Sequence, residues 1–153
     1  MMPPWKAREA LVAAGHAALP ALTGALTGSV PETRWEAAKA LSELHDPASA
    51  GALVAALEDP DGSVRWIAAE ALTWIGGEAM DPLLHALLTD SGSEWLRKGA
   101  HHVLSTLRHN ADLPPAVLPV LLALDGTAPA IGVMPPIARA LEELNLHRFA
   151  ASN

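Results

Sequence analysis

The sequence contains no cysteine, no tyrosine and a single phenylalanine. Without cysteine the chain forms no disulfide and offers no thiolate chemistry, so cysteine usage gives no indication of the redox compartment. Half of the residues are hydrophobic, and alanine and leucine supply most of them. Because strands favour β-branched and aromatic residues, this composition predicts a core of closely packed helices.

Basic residues are also scarce. Lysine and arginine total 10 against 17 aspartates and glutamates, which gives a formal net charge of −7 without any block of like charge. Nucleic-acid binding is driven mainly by neutralising phosphates, so this balance argues against nucleic acid and equally against an anionic membrane. No run approaches the roughly 20 apolar residues that a membrane-spanning helix needs. We therefore expect neither nucleic acid nor membrane as a partner.

One targeting alternative is an export signal. Residues 11–27 are apolar and rich in small residues behind a short basic start, which is typical of a weak secretion signal. Glu9 and His16 interrupt this pattern, and residues 5–11 belong to a repeat that recurs later in the chain. We expect a cytoplasmic protein and keep export as the alternative.

The most informative feature of the sequence is an internal repeat. Residues 65–72, Arg-Trp-Ile-Ala-Ala-Glu-Ala-Leu, have relatives at residues 34–41 and 4–11 and a more divergent one at residues 97–104. The closing leucines of these four segments are 30, 31 and 32 residues apart along the chain. A near-constant period of this length is typical of a solenoid.

Each repeat contains a second helix. Leu22, Leu53 and Leu84 are 31 residues apart and lie in apolar stretches between the tryptophan-containing segments, so each unit is a helix pair. The sequence therefore predicts a single all-α domain over residues 1–153, a right-handed α-α superhelix. Its predicted parts are an N-terminal capping half repeat (4–15), three repeats (16–45, 46–77 and 78–108), a degenerate C-terminal capping repeat (109–146) and a tail (147–153).

The motif also resembles a known family. Residues 57–72, Leu-Glu-Asp-Pro-Asp-Gly-Ser-Val-Arg-Trp-Ile-Ala-Ala-Glu-Ala-Leu, are similar to the HEAT-like repeat of phycobilisome lyases. The resemblance covers about residues 4–108, with 109–146 as a degenerate continuation. It implies a HEAT-like solenoid and indicates little about function.

The resemblance further implies structural roles for a set of charged residues. In this family the arginine of the Val-Arg pair ties its turn to a neighbouring repeat through an acidic residue. The arginines at this position are Arg34, Arg65 and Arg97, and the expected acidic partners are Asp59, Asp61 and Asp90. The last repeat has Met134 at this position, so we expect no such tie there.

A helical wheel of about 100° per residue places the tryptophans opposite the buried alanines and leucines. In a stack of helix pairs these faces line the concave surface, where a row of indoles favours partner binding. The predicted partner-binding residues are Trp5, Glu9, Trp35, Lys39, Trp66, Glu70, Trp74, Lys98 and His102. The alternative is structural: the indoles pack on one another and on the stems of the basic residues, beside an ion-pair ladder of Glu9, Lys39 and Glu70.

Metal binding and catalysis have less support. His101 and His102 point about 100° apart on a helix, and His102 has no carboxylate three or four residues along that would complete a site. The hydroxyl residues of the same face lack a histidine at the spacing of an activated pair. We predict no metal, no cofactor and no catalytic residue, and an enzyme is the less favoured interpretation.

Three functions remain open from the sequence. The first is a non-enzymatic scaffold or adaptor that binds a protein or peptide on the tryptophan-lined face. The alternative is a bilin-binding, small-molecule-binding or lyase-type component, as the resemblance to lyases implies. A third, an alkyl-base DNA glycosylase, fits less well because Lys39 and Lys98 are balanced by Glu9 and Glu70. The oligomeric state does not follow from the sequence.

Overall fold

The computed structural model describes residues 2–126 and 130–152, and this part of the chain consists of helices and turns without a strand. Short 3₁₀ turns lead into α2, α4, α6, α8 and α9. The helices are α1 (Pro4–Ala14), α2 (Leu19–Ala25), α3 (Pro31–Leu44), α4 (Ala50–Ala56), α5 (Gly62–Ile75), α6 (Met80–Thr89), α7 (Glu94–His109), α8 (Leu118–Asp125) and α9 (Met134–Ala151).

Local sequence signals set the ends of these helices. Pro31 begins α3, where its missing N–H costs no helical hydrogen bond. The Asp61 carboxylate caps α5 by accepting from the backbone N–H groups of Ser63 and Val64. Gly76 ends α5 with a φ of 74°, a left-handed value that glycine adopts without strain.

The helices form two layers. In the inner layer α1, α3, α5 and α7 pack side by side in chain order, and in the outer layer α2, α4 and α6 pack against them. The repeated leucines fill the space between the layers, and Leu41, Leu72 and Leu104 are fully buried there. Burial of these apolar faces is the main force that holds the stack together. The predicted all-α solenoid of helix pairs is confirmed.

The C-terminal end departs from the regular stack. Helix α9 packs against α6 and α8, and Arg148 Nη1 lies 3.0 Å from Asp81 Oδ2 of α6. This helix extends to Ala151, into the segment predicted as a tail. Residues 127–129 of the predicted capping repeat and residue 153 of the predicted tail lie outside the described residues.

Within the described ranges, no helix is long and apolar enough to cross a membrane.

Candidate partner-binding groove

Arg34, the first repeated arginine, forms an ion pair with a carboxylate. Arg34 of α3 donates from Nε to Asp59 Oδ2 at 2.7 Å and from Nη2 to Asp59 Oδ1 at 3.0 Å. Its Nη1 donates to the Gly28 carbonyl oxygen at 2.9 Å. Both charged side chains are buried, and the hydrogen bond to Asp59 raises the pKa of Arg34 above its usual value. The turn before α5 is thereby attached to α3.

The second repeated arginine has different partners. Arg65 Nη1 donates to the carbonyl oxygens of Asp59 at 2.6 Å and Pro60 at 3.2 Å. The guanidinium carbon lies 4.3 Å from the ring centroid of Trp95, in cation–π geometry. Within residues 2–126 and 130–152, no carboxylate pairs with Arg65, so the acidic tie expected here is replaced by carbonyls and an indole.

The other two expected acidic partners, Asp61 and Asp90, lie at the ends of helices. Asp61 is occupied as the cap of α5, and hydrogen bonds from Ser63 lower the pKa of its carboxyl. Asp90 is exposed at the end of α6. The turn between Leu88 and Arg97 is one residue longer than the turn between Leu57 and Arg65, which gives the two turns different shapes. The third arginine, Arg97, donates from Nη1 to the Ser91 carbonyl oxygen at 3.3 Å.

The predicted row of tryptophans is uneven. Trp5, Trp66 and Trp74 are 47%, 57% and 64% exposed. Trp35, placed opposite the core by the helical wheel, is half-buried and packs against the core. Trp66 holds the equivalent position in α5 and is exposed, although α5 also lies between two inner helices. The exposed indoles are therefore concentrated on α5 rather than spaced evenly along the stack.

A groove runs between α5 and α7 on the inner face, and we call it the α5–α7 groove. It contains two cavities of about 290 and 550 Å³. Leu57, Gly62, Arg65, Trp66, Ala69, Trp95, Lys98, Gly99 and His102 line the smaller one. Glu70, Thr73, Trp74, Ile75, Gly76, Gly77, Thr106, Leu107, Asn110 and Asp112 line the larger one.

Glu70 and His102 join the two cavities. Glu70 Oε1 lies 2.9 Å from His102 Nε2, and the imidazole ring packs at 4.9 Å from the Trp66 ring. Lys39 lies 3.9 Å from Glu43 on its own helix. In the described part of the chain, the ladder suggested as the structural alternative, Glu9 to Lys39 to Glu70, does not form, because Lys39 and Glu70 each pair elsewhere.

A glycine opens the floor of the smaller cavity. Gly99 of α7 occupies the position that Ile67 has in α5 and Glu36 has in α3. A Cβ atom at Gly99 would lie 3.0 Å from Cδ2 of Leu57, which is fully buried. The missing side chain lets α7 lie close to Leu57, and Gly99 and Leu57 line the smaller cavity together with Trp66 and Trp95.

Trp95 was not among the predicted site residues. It is 44% exposed and follows Glu94 at the start of α7, two residues before the repeated arginine. A fifth tryptophan beside a helix cap was a signal available in the sequence. Lys98, one of the predicted partner-binding residues, lines the same cavity and pairs with Glu94 at 2.6 Å.

Histidines next to carboxylates form pairs rather than metal sites. His101 pairs with Asp125, and His102 pairs with Glu70. Among the described residues, no group of three or more histidine and acidic side chains is arranged to hold a metal ion.

The repeat pattern and the two-layer packing agree with a known family. The family model for HEAT repeats matches residues 5–73 and 51–141. The chain belongs to the HEAT repeat family. HEAT repeats commonly serve as protein-interaction scaffolds. No curated protein matches the sequence.

Proposed function

We propose that this HEAT repeat protein is a non-enzymatic scaffold or adaptor that binds a protein or peptide partner in the α5–α7 groove. The observation that carries the proposal is the concentration of exposed indoles there, namely Trp66, Trp74 and Trp95. Tryptophan removes a large apolar area from water on binding and retains one hydrogen-bond donor, and it is enriched at interface hot spots.

The polar groups of the groove support the same function. Arg65 and Lys98 lie at the end where α5 and α7 begin, and Asp112 lies near the end of α7. The groove therefore has indoles in both cavities, with Arg65 near one end and Asp112 near the other. An arrangement of this kind orients a polypeptide along the groove, because complementary charges fix register more than they add affinity.

The remaining predicted contacts have a lesser role in the proposal. Trp5 is exposed and has Lys6 Nζ 5.5 Å from its ring centroid, whereas Trp35 is half-buried. Glu9 is exposed on α1, and Lys39 is engaged by Glu43. We assign these four residues to the rim of the surface and the main contacts to the α5–α7 groove.

The test compares two double variants in an affinity isolation from the native cell. Trp66→Ala with Trp95→Ala removes the indoles of the smaller cavity, and we expect recovery of specific partners to fall about tenfold or more, as measured by quantitative mass spectrometry. The matched control, Leu146→Ala with Phe149→Ala, removes exposed apolar side chains of α9.

Circular dichroism and thermal unfolding establish that both variants retain the fold. Recovery of the same partners by a folded groove variant would contradict the proposal. The lyase-type alternative is tested on the same proteins by titrating tryptophan fluorescence with a tetrapyrrole. The smaller cavity, at about 290 Å³, lies at the lower limit of the roughly 300–1,000 Å³ usual for small-molecule sites. The larger cavity, at about 550 Å³, is within that range, but Glu70, Asn110 and Asp112 line it beside Trp74, whereas small-molecule sites are lined mostly by apolar side chains. We therefore expect no quenching at micromolar ligand.

A further inference from the structure

Arg34 and Arg65 hold equivalent positions, 31 residues apart, in consecutive inner helices. Each anchors its guanidinium through Nη1 to the carbonyl oxygen six residues earlier, which is Gly28 for Arg34 and Asp59 for Arg65. The two side chains therefore start from the same local arrangement. They differ in what meets the other edge of the guanidinium, formed by Nε and Nη2.

In α3 that edge holds a carboxylate. The two oxygens of Asp59 accept from Nε and Nη2 of Arg34 in the bidentate geometry that is the strongest form of arginine–carboxylate contact. The protein thus contains its own example of the ligand that this repeated arginine binds.

In α5 the same edge has no carboxylate partner among the described residues. Asp90, the counterpart of Asp59 one repeat later, is exposed and makes no ion pair with Arg65 in this part of the chain. Trp95 supports the guanidinium plane, and the absence of a side chain at Gly62 leaves Nη2 uncovered, since a Cβ there would lie 3.3 Å from that atom. Arg65 is therefore held by two carbonyl oxygens and an indole, and it lines the smaller cavity.

We propose that the Nε and Nη2 edge of Arg65 binds an aspartate or glutamate side chain of the partner polypeptide, and that an adjacent large apolar side chain enters the smaller cavity between Trp66 and Trp95. This inference rests on the proposed function and names the chemistry of the partner. The occupant is a linear segment with an acidic residue next to a large apolar one.

The apolar half of this motif follows from the cavity. Its floor is formed by Leu57 and by the position of Gly99, and its walls by Trp66 and Trp95. One large side chain fits a space of about 290 Å³ that opens to solvent on the inner face. Lys98 lines the same cavity but is paired with Glu94 at 2.6 Å, so the anion contact is assigned to Arg65.

The anion site is the arginine and not the end of the helix. The first N–H groups of α5 are already satisfied by the Asp61 carboxylate, at 2.8 Å from Ser63 N, so they do not compete for a partner's acid. We specify an aspartate or glutamate side chain rather than a C-terminal carboxylate because Asp59, which binds the equivalent arginine Arg34, is itself a side chain.

The experiment uses displayed libraries of short random peptides, selected on the full chain. On the natural protein we expect enrichment of peptides with Asp or Glu close to Trp, Phe or Leu. On Arg65→Gln this enrichment should fall about tenfold, the loss expected for one bidentate charge-assisted contact. The matched control is Arg139→Gln, which removes an exposed arginine of α9 and should leave the enrichment unchanged.

A change in the peptide keeps the test valid if Arg65→Gln disturbs the fold. For a selected peptide, fluorescence anisotropy should show about tenfold weaker binding after Glu→Gln or Asp→Asn substitution in the peptide alone. Arg65→Lys keeps the charge but loses the fork, so binding should also weaken.

The outcomes separate this inference from the proposed function. Enrichment of basic or uncharged peptides that still depends on Trp66 overturns the acidic motif and leaves the groove as a binding site. Equal affinity of the acidic peptide and its amide version also overturns the acidic motif. Absence of any enrichment that depends on Arg65 overturns the acidic motif, whereas the groove itself is decided separately by the affinity isolation with Trp66→Ala and Trp95→Ala.

Discussion

Helices α3 and α5 are consecutive copies of one repeat, yet their polar groups have different partners. In α3, Arg34 is bound by Asp59, and Glu36 is bound by Arg8 Nη1 of α1 at 2.6 Å. In α5, Arg65 has only carbonyl and indole partners among the described residues, and the position equivalent to Glu36 in the next inner helix, α7, is Gly99. The two ion pairs that join α3 to its neighbours therefore have no equivalent at Arg65 and Gly99 among the described residues.

The comparison indicates how a repeat protein separates stability from binding. The buried alanines and leucines are the same in both helices and maintain the layers. The polar and aromatic positions differ: in α3 Arg34 is paired with Asp59 within the chain, whereas in α5 Arg65 lies beside two exposed indoles, Trp66 and Trp95. Under the proposed function, the second arrangement is the one that receives a partner.

The largest expected effect comes from removing the carboxylate that pairs with Arg34 of α3. Asp59→Ala leaves the buried guanidinium of Arg34 without its carboxylate, and we expect the melting temperature to fall on the order of 10 °C. Asp90→Ala, at the equivalent position one repeat later, removes an exposed carboxylate and should leave the melting temperature almost unchanged.

Thermal unfolding followed by circular dichroism measures both variants. Equal losses at Asp59 and Asp90 would mean that Asp90 holds Arg65 as Asp59 holds Arg34. That result would remove the contrast between the two helices.

The next largest effect comes from filling the smaller cavity beside α5. Gly99→Ile restores the residue type of α5 and fills the smaller cavity, so we expect selected peptides to bind about tenfold more weakly. Contact with Leu57, which a Cβ atom already reaches at 3.0 Å, should lower the free energy of unfolding by about 1 to 2 kcal/mol.

Fluorescence anisotropy and urea unfolding measure these two quantities. Gly51→Ala is the control, because no atom lies within 4 Å of its Cβ position and α4 lies in the outer layer. Unchanged peptide affinity in Gly99→Ile would show that the smaller cavity takes no part in binding.

The smallest effect concerns the ion pair between α1 and α3. Arg8 lies 2.6 Å from Glu36 and 3.5 Å from Glu43, and its side chain is 20% exposed. We expect Arg8→Gln to lower the free energy of unfolding by no more than about 1 kcal/mol, because partly exposed ion pairs contribute little. Hydrogen exchange should show the loss as faster opening of α1, and equal acceleration throughout the chain would contradict a local role.

The sequence predicted the layers of the fold more completely than it predicted the site. A repeated leucine can be recognised because burial requires an apolar residue at a regular helical spacing, and Leu41, Leu72 and Leu104 are all fully buried. The exposure of Trp66 was predicted from the same spacing. The partial burial of Trp35 was not predicted, because it depends on side chains of neighbouring helices that are distant in the sequence.

The partners of the repeated arginines could likewise be predicted only in part. The repeat motif indicated that Arg34 would meet an acidic residue, and the structure has Asp59 in that position. The motif predicted an acidic partner for Arg65 as well, but Trp95 lies over its guanidinium, and the following turn is one residue longer than the turn before α5. A one-residue difference in a turn leaves the period almost unchanged while it moves the side chains that the turn presents.

The sequence by itself determined the all-α solenoid and its helix pairs, because these depend on periodic burial along each helix. Only the tertiary structure decided which side chains meet between helices. It brought Trp66, Trp95 and Arg65 to one cavity over Gly99, because such contacts depend on how closely neighbouring helices approach and on the shape of the turns that join them.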